Sequence, residues 1–159
     1  MSNVIWMQPQ VIDWSQILLD SFEHFLGYQL ILRDGDQKAQ AQALFEAPFV
    51  VVSHEMQADP ILNYGNQTAL ELWSMTWEEL TQTPSRLTAE PMNREKRELI
   101  LRQVARQGYI DNYTGVRISS TGTRFLIEKT IIWNLVNRSG DKCGQAATFA
   151  HWTILEELK

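Results

Sequence analysis

The sequence holds a single cysteine, Cys143, among 159 residues, which excludes an internal disulfide and any multi-cysteine metal site. Long apolar runs are missing as well. None exceeds about five residues, where a bilayer span needs about 20, and the start MSNVIWMQPQ lacks the charged-then-apolar pattern of a signal peptide. Basic residues are in deficit, with 14 Lys and Arg against 19 Asp and Glu, and the resulting charge of −5 repels phosphate backbones. The eight glycines never fall as Gly-x-Gly-x-x-Gly or as a glycine-lysine loop, so no phosphate cradle is expected. These absences leave a soluble, cytoplasmic protein that binds neither nucleic acid nor membrane. What is present is core material: 44% hydrophobic and 10% aromatic residues, enough for one domain with an extension.

Two textures meet near Pro48. Before it, Trp14, Ile17, Leu18, Phe22, Phe25 and Leu26 recur at helical spacing, with Asp13 and Gln16 resembling a capping box and Gly27 at the C-cap. The expected helix has three to four turns. A second, weaker pattern runs from Gln37 to Ala47 after the turn signal Arg33-Asp34-Gly35-Asp36. Both helices need a partner for their apolar faces, either their own sheet or a second subunit.

After Pro48 the pattern predicts strands at Phe49–Ser53 and Ile61–Tyr64, then short helices from Asn66 to Trp73 and from the Thr76-x-x-Glu79 box. A longer helix is expected from Asn93 to Gln107, capped by Asn93, stopped by Gly108 and striped by Leu99, Ile100 and Val104. Three strands follow: Tyr113–Ser119, Phe125–Val136 and Gln145–Trp152. A two-residue turn at Thr121-Gly122 pairs Ile118 with Phe125 and Val116 with Ile127, and places those four with Ile131 and Trp133 on the core face. Tyr113, Arg117, Glu128, Thr130 and Asn134 then share the opposite face, with Arg117 and Glu128 close enough for an ion pair. The last hairpin admits two registers one residue apart, which exchange the faces of Gln145 to Trp152.

This element order is that of a PAS domain, and the residues agree. Asn66-Gln-Thr-Ala69-Leu-Glu-Leu72-Trp73 followed by Trp77-Glu-Glu-Leu80 resembles the PAS pattern, and Gly122 and Gly140 sit at the hairpin turns where PAS domains carry glycine. More narrowly, Ala47–His54, Asp59–Tyr64, Pro84–Pro91, Tyr113–Ser119 and Trp133-Asn134-Leu135 are similar to the MEKHLA family. That family is PAS-like and occurs as single-domain bacterial and cyanobacterial proteins and at the C-terminus of plant homeodomain leucine-zipper factors. The resemblance implies an α+β fold: a five-stranded antiparallel sheet with short helices on one face. The division expected is an N-terminal helical extension over 1–46, a PAS-like core over 47–152 and a short helical tail over 153–159.

PAS folds serve as sensors, ligand pockets and dimerisation surfaces, so the fold does not fix the activity. Light-sensing relatives carry a cysteine in a Gly-Asn-Cys-Arg string beside their flavin, and this chain has none; Cys143 falls in a hairpin instead. Heme-binding relatives ligate iron through a histidine on the long helix, and Asn93–Gln107 contains none. The cofactor is left unassigned. His24, His54 and His151 are not spaced as a metal set, and His54-Glu55 lacks the second histidine of a zinc-protease pattern because Ala58 stands there. Ser53, Ser85, Ser119 and Ser120 have no Gly-x-Ser-x-Gly frame, so an enzyme is not expected. A small enzyme using His54 or His151 as base is the catalytic alternative.

A PAS pocket between sheet and short helices draws on Trp73, Trp77, Tyr113 and Trp133 for aromatic walls and on Arg86 or Asn66 for a polar contact. A filled core uses the same aromatics and is the favoured reading, and Asn66 at that place caps its helix. The expectation is a non-enzymatic sensory or protein-interaction module, with a small-molecule sensor as the alternative. A homodimer is expected, because the amphipathic first helix and a face bearing Leu126, Ile132 and Trp152 leave apolar surface uncovered. Output is expected to act through a separate protein.

Overall fold

A computed structural model describes residues 4–90 and 94–156. After a 3-10 turn at Ile5–Met7, helix α1 (Pro9–Leu26) starts on Pro9, whose missing N–H costs nothing in the first turn. The Asp13–Gln16 pair therefore lies inside the helix and makes no cap, which corrects the expected start and lengthens α1 to 18 residues. Gly27 closes it at φ +82°, donating to the Glu23 carbonyl at 2.9 Å. Helix α2 (Gln37–Phe45) is capped by Asp36, which accepts from the Ala39 N–H at 2.9 Å.

Strands β1 (Val50–His54) and β2 (Leu62–Gly65) pair antiparallel. Helices α3 (Gln67–Trp73) and α4 (Trp77–Leu80) follow, the second with its Thr76–Glu79 capping box formed in both directions, and a 3-10 turn spans Ser85–Thr88. Helix α5 (Arg94–Gln107) is stopped by Gly108, and the expected cap Asn93 lies outside the described residues. Val104 is buried on α5 and Ile100 is partly so, but Leu99 is exposed and off the stripe. No helix among the described residues is long and apolar enough to cross a membrane.

Strands β3 (Tyr109–Ile118), β4 (Arg124–Val136), β5 (Lys142–Phe149) and β6 (His151–Glu156) complete an antiparallel sheet ordered β2-β1-β5-β4-β3. β6 continues β5 past a bend at Ala150 and pairs with the first half of β4, from Glu128↔His151 to Arg124↔Glu156. Residues 153–156 are thus strand, not helical tail; residues 157–159 lie outside the described residues. Ladder bonds to β4 outweigh the weak helical signal of so short a segment.

Two irregularities reassign the sheet's faces. The β3–β4 turn has three residues, Ser120 to Gly122, with Ser119 and Thr123 bonded across it at 2.9 Å and Gly122 at φ +86°. Ile118 therefore opposes Arg124, and Arg117 opposes Phe125, one residue off the expected register. Further along, Glu128 and Lys129 stand opposite the single residue Thr114, with Lys129 at φ +54°, a bulge that inverts the alternation beyond it. Phe125 and Ile127 consequently share a face with Thr130, Ile132 and Asn134, while Ile131, Trp133 and Leu135 turn to the other. Arg117 and Tyr113 join the Phe125 face, and no Arg117–Glu128 ion pair forms.

Each face has its own core. On one, α1 and α2 lay Leu18, Leu19, Phe22 and Leu44 against Val51, Trp133, Leu135 and Ala146. On the other, which we call the inner face, α3 and α5 lay Ala69, Trp73 and Val104 against Val50, Ile110, Phe125, Ile127 and Phe149. The apolar stripe of α1 is thus covered within one chain. Ile132 and Trp152, expected to point outward, pack on the inner core.

Candidate functional site

The last hairpin settles the register of β5: Leu135 opposes Gly144 and Asn134 opposes Gln145. Rows then run across the inner face. Val52, Ala147 and Ile132 form one, and His54, Gln145 and Asn134 the next. Over these rows lies a cavity of about 120 Å³. Val52, Ile132, Ala147, Ile127 and Phe149 make its apolar floor, Trp73 a wall, and Ser85, Thr88 and Ala89 cover it in part, leaving it open on one side. Its polar lining comes from Arg117, His54, Gln145, Ser85 and Thr88.

The covering segment is held at several points. The Trp73 indole donates to the Thr88 carbonyl at 3.4 Å, and the Thr88 hydroxyl donates to the Ser85 carbonyl at 2.7 Å. Ala89 bridges to Arg117, the Glu90 N–H donates to the Val116 carbonyl, and the Glu90 carboxylate pairs with Arg124. That guanidinium lowers the Glu90 pKa, first by its hydrogen bond.

The polar groups on the wall differ in what they have left to offer. His54 Nδ1 lies 2.7 Å from the Glu55 carbonyl oxygen, so Nδ1 donates and Nε2 of the neutral ring is an acceptor. Gln145 donates to Asn134 Oδ1 at 3.4 Å. Arg117 spends one N–H on its neighbour's carbonyl, at 3.3 Å to Val116, and its guanidinium carbon sits 5.4 Å from the Tyr113 ring centroid. Among the described residues it makes no ion pair.

Of the residues expected to line a pocket, Trp73 does, edge-on to Phe125 at 5.3 Å. Tyr113 lies buried beside the site as the platform for Arg117. Asn66 is fully buried and spans the start of β1: its Oδ1 accepts from Val51 and Ala69 N–H, and its Nδ2 donates to the Phe49 and Leu44 carbonyls. Arg86 turns away from the cavity to an exposed pair with Asp59 at 3.2 Å, while its neighbours Ser85 and Thr88 face in. Trp133 is on the α1 side because of the Lys129 bulge. Trp77 stands edge-on to Tyr64 at 5.7 Å and, with Trp14, lines a separate open groove of about 470 Å³ between α1, β2 and α4.

Reading the sequence missed Arg117, Gln145, Ser85 and Thr88. The Ser119-Ser120-Thr121-Gly122 string does carry the signal for Arg117, since a three-residue turn with Gly at its left-handed position moves the register by one. Cys143 packs against the α1 core, where burial first and Glu55 second raise its pKa away from the thiolate. His151 is exposed on β6 opposite Glu128. Among the described residues no three His, Cys, Asp or Glu are grouped to hold a metal ion.

Comparison with known proteins agrees with this architecture. A PAS domain from Colwellia psychrerythraea superposes with a TM-score of 0.60 at 16% identity, over 74% of this chain and 95% of that one. A light-oxygen-voltage domain studied with a flavin analogue gives 0.55 at 18% identity, covering 75% and 86%. An RNA-binding light-oxygen-voltage receptor gives 0.60 at 18%, covering 75% of this chain and 34% of the receptor. At such identities the likeness is one of fold. No curated protein sequence matches the chain. The MEKHLA domain matches residues 12–154, nearly the whole described structure, and the chain therefore belongs to the MEKHLA domain family, with a PAS fold.

Proposed function

We propose that this PAS-like sensory domain is non-enzymatic and that its inner-face cavity binds a small molecule whose occupancy is the signal. The observation that carries this reading is the cavity's make-up: an apolar floor, few polar groups and a covering segment pinned to both α3 and β3. Among the described residues neither His54 nor His151 hydrogen-bonds a Ser, Thr or Cys side chain, so no base–nucleophile pair is formed.

A flavin does not fit the residues present. A cavity of roughly 150 Å³ holds one benzene, and about 120 Å³ is too small for a three-ring system. The chain's only thiol, Cys143, is also packed against the α1 core.

Homodimerisation is retained as a second reading. It is supported by β6, which among the described residues pairs only with β4 and exposes Ile154 and Leu155. Native mass spectrometry with an absorption spectrum, on protein purified without additions, tests both. A mass excess of a small compound supports the sensor, and a bare dimer supports an interaction module. A bare monomer that no small compound stabilises counts against both.

A further inference from the structure

We infer that the inner cavity selects a small carboxylate, held by Arg117, with a hydrocarbon body of only a few carbons on the apolar floor. This rests on the cavity being a ligand site. Of the titratable side chains lining the cavity, Arg117 and His54, none is acidic, although acidic residues outnumber basic ones in the chain. Arg117 has no carboxylate partner among the described residues, and the Tyr113 ring beneath it fixes the guanidinium without neutralising it.

A guanidinium presents five N–H donors in a planar fork suited to bidentate capture of a carboxylate. One of these donates to Val116, which leaves the rest for a ligand. Ser85 lines the cavity from the covering segment, and the Thr88 hydroxyl proton there is committed to the Ser85 carbonyl. Volume sets the upper limit: the cavity is slightly smaller than one that accepts benzene, so the whole ligand has at most about six non-hydrogen atoms. Val52, Ile127, Ile132 and Phe149 offer no hydrogen bonds to the remainder of such a molecule.

The test titrates the full chain with sodium propionate and, separately, with the neutral isostere propionamide, following the indole N–H resonance of Trp73 by NMR. Propionate is expected to shift that resonance at least about tenfold more tightly than propionamide. Arg117→Gln, at a half-exposed residue without an ion pair, is expected to erase the difference while circular dichroism and melting temperature stay near wild type. Arg117→Lys is expected to restore part of it. Equal binding of the two probes overturns the carboxylate inference and leaves the cavity as a ligand site. Propionate binding unaffected by Arg117→Gln also overturns it. No response to either probe overturns this inference, and a ligand-free protein in the mass measurement would then overturn the sensor reading as well.

Discussion

The Trp133 indole N–H donates to the Leu18 carbonyl at 3.3 Å while its ring stands edge-on to Phe22 at 5.0 Å. One buried side chain of the sheet thus holds α1 by both its polar and its apolar parts. Trp133→Ala is expected to destabilise the protein by about 3–5 kcal/mol, read from urea unfolding. Deleting residues 1–46 should give an aggregating or unfolded product, because Val51, Leu135 and Ala146 would lose their cover. A soluble, cooperatively folded fragment would show that α1 is an accessory.

Asn66 stitches the end of α2, the start of β1 and the start of α3 through four hydrogen bonds at full burial. Asn66→Asp sets an oxygen against the Leu44 and Phe49 carbonyls and should cost about 3 kcal/mol or more. The loss should appear as a lower denaturation midpoint. An unchanged midpoint would mean that water replaces those bonds.

Tyr64 is buried with no partner for its hydroxyl among the described residues, and that burial raises its pKa above the usual tyrosine value. Tyr64→Phe is expected to be neutral or stabilising by about 1 kcal/mol. The sign with pH follows from the shift. Above about pH 10 the unfolded chain gives up the phenolic proton and the folded chain keeps it, so stability falls as pH rises. The Phe variant should lack that alkaline decline, and unfolding followed from pH 8 to 11 measures it.

Glu90 behaves in the opposite direction. Its pKa is lowered by Arg124, so its contribution is present above the unfolded carboxylate value near ~4.3 and fades as pH falls below it. Glu90→Gln should flatten the acid limb between about pH 5 and 3 and loosen the segment over the cavity. Hydrogen exchange at Thr88 and Ala89 is the sensitive readout, and unchanged protection there would remove the tether's role.

The elements with strong local signals were legible in the sequence: Gly27 and Gly108 as helix stops, the Thr76–Glu79 box, the two hairpin glycines and the PAS order itself. The faces of the sheet were not. Period-two alternation carries no mark of the bulge, and Lys129 is a residue that sequence patterns do not flag for a left-handed backbone. That one position moves Trp133 out of the pocket, while the added turn residue brings Arg117 in. Arg86 and Asn66 read as polar contacts of a PAS pocket; Ser85 and Thr88 beside Arg86 do line the cavity, but the partners of Arg86 and Asn66 themselves, Asp59 and distant backbone groups, are visible only in three dimensions. The last strand's continuation through 153–156 was hidden for a similar reason, since its ladder partner is β4, far back in the chain.

Below the Lys129 bulge, Ile132 lies against the cavity and Trp133 lies under α1, yet the two are consecutive residues. About 3.3 Å of strand separates the cavity's wall from the helix's seat. The sheet is therefore a membrane between two compartments, and any occupant that pushes on β4 from one side presses on α1 from the other. The helix that hides half of the sheet therefore rests on the same strand that helps to floor the cavity.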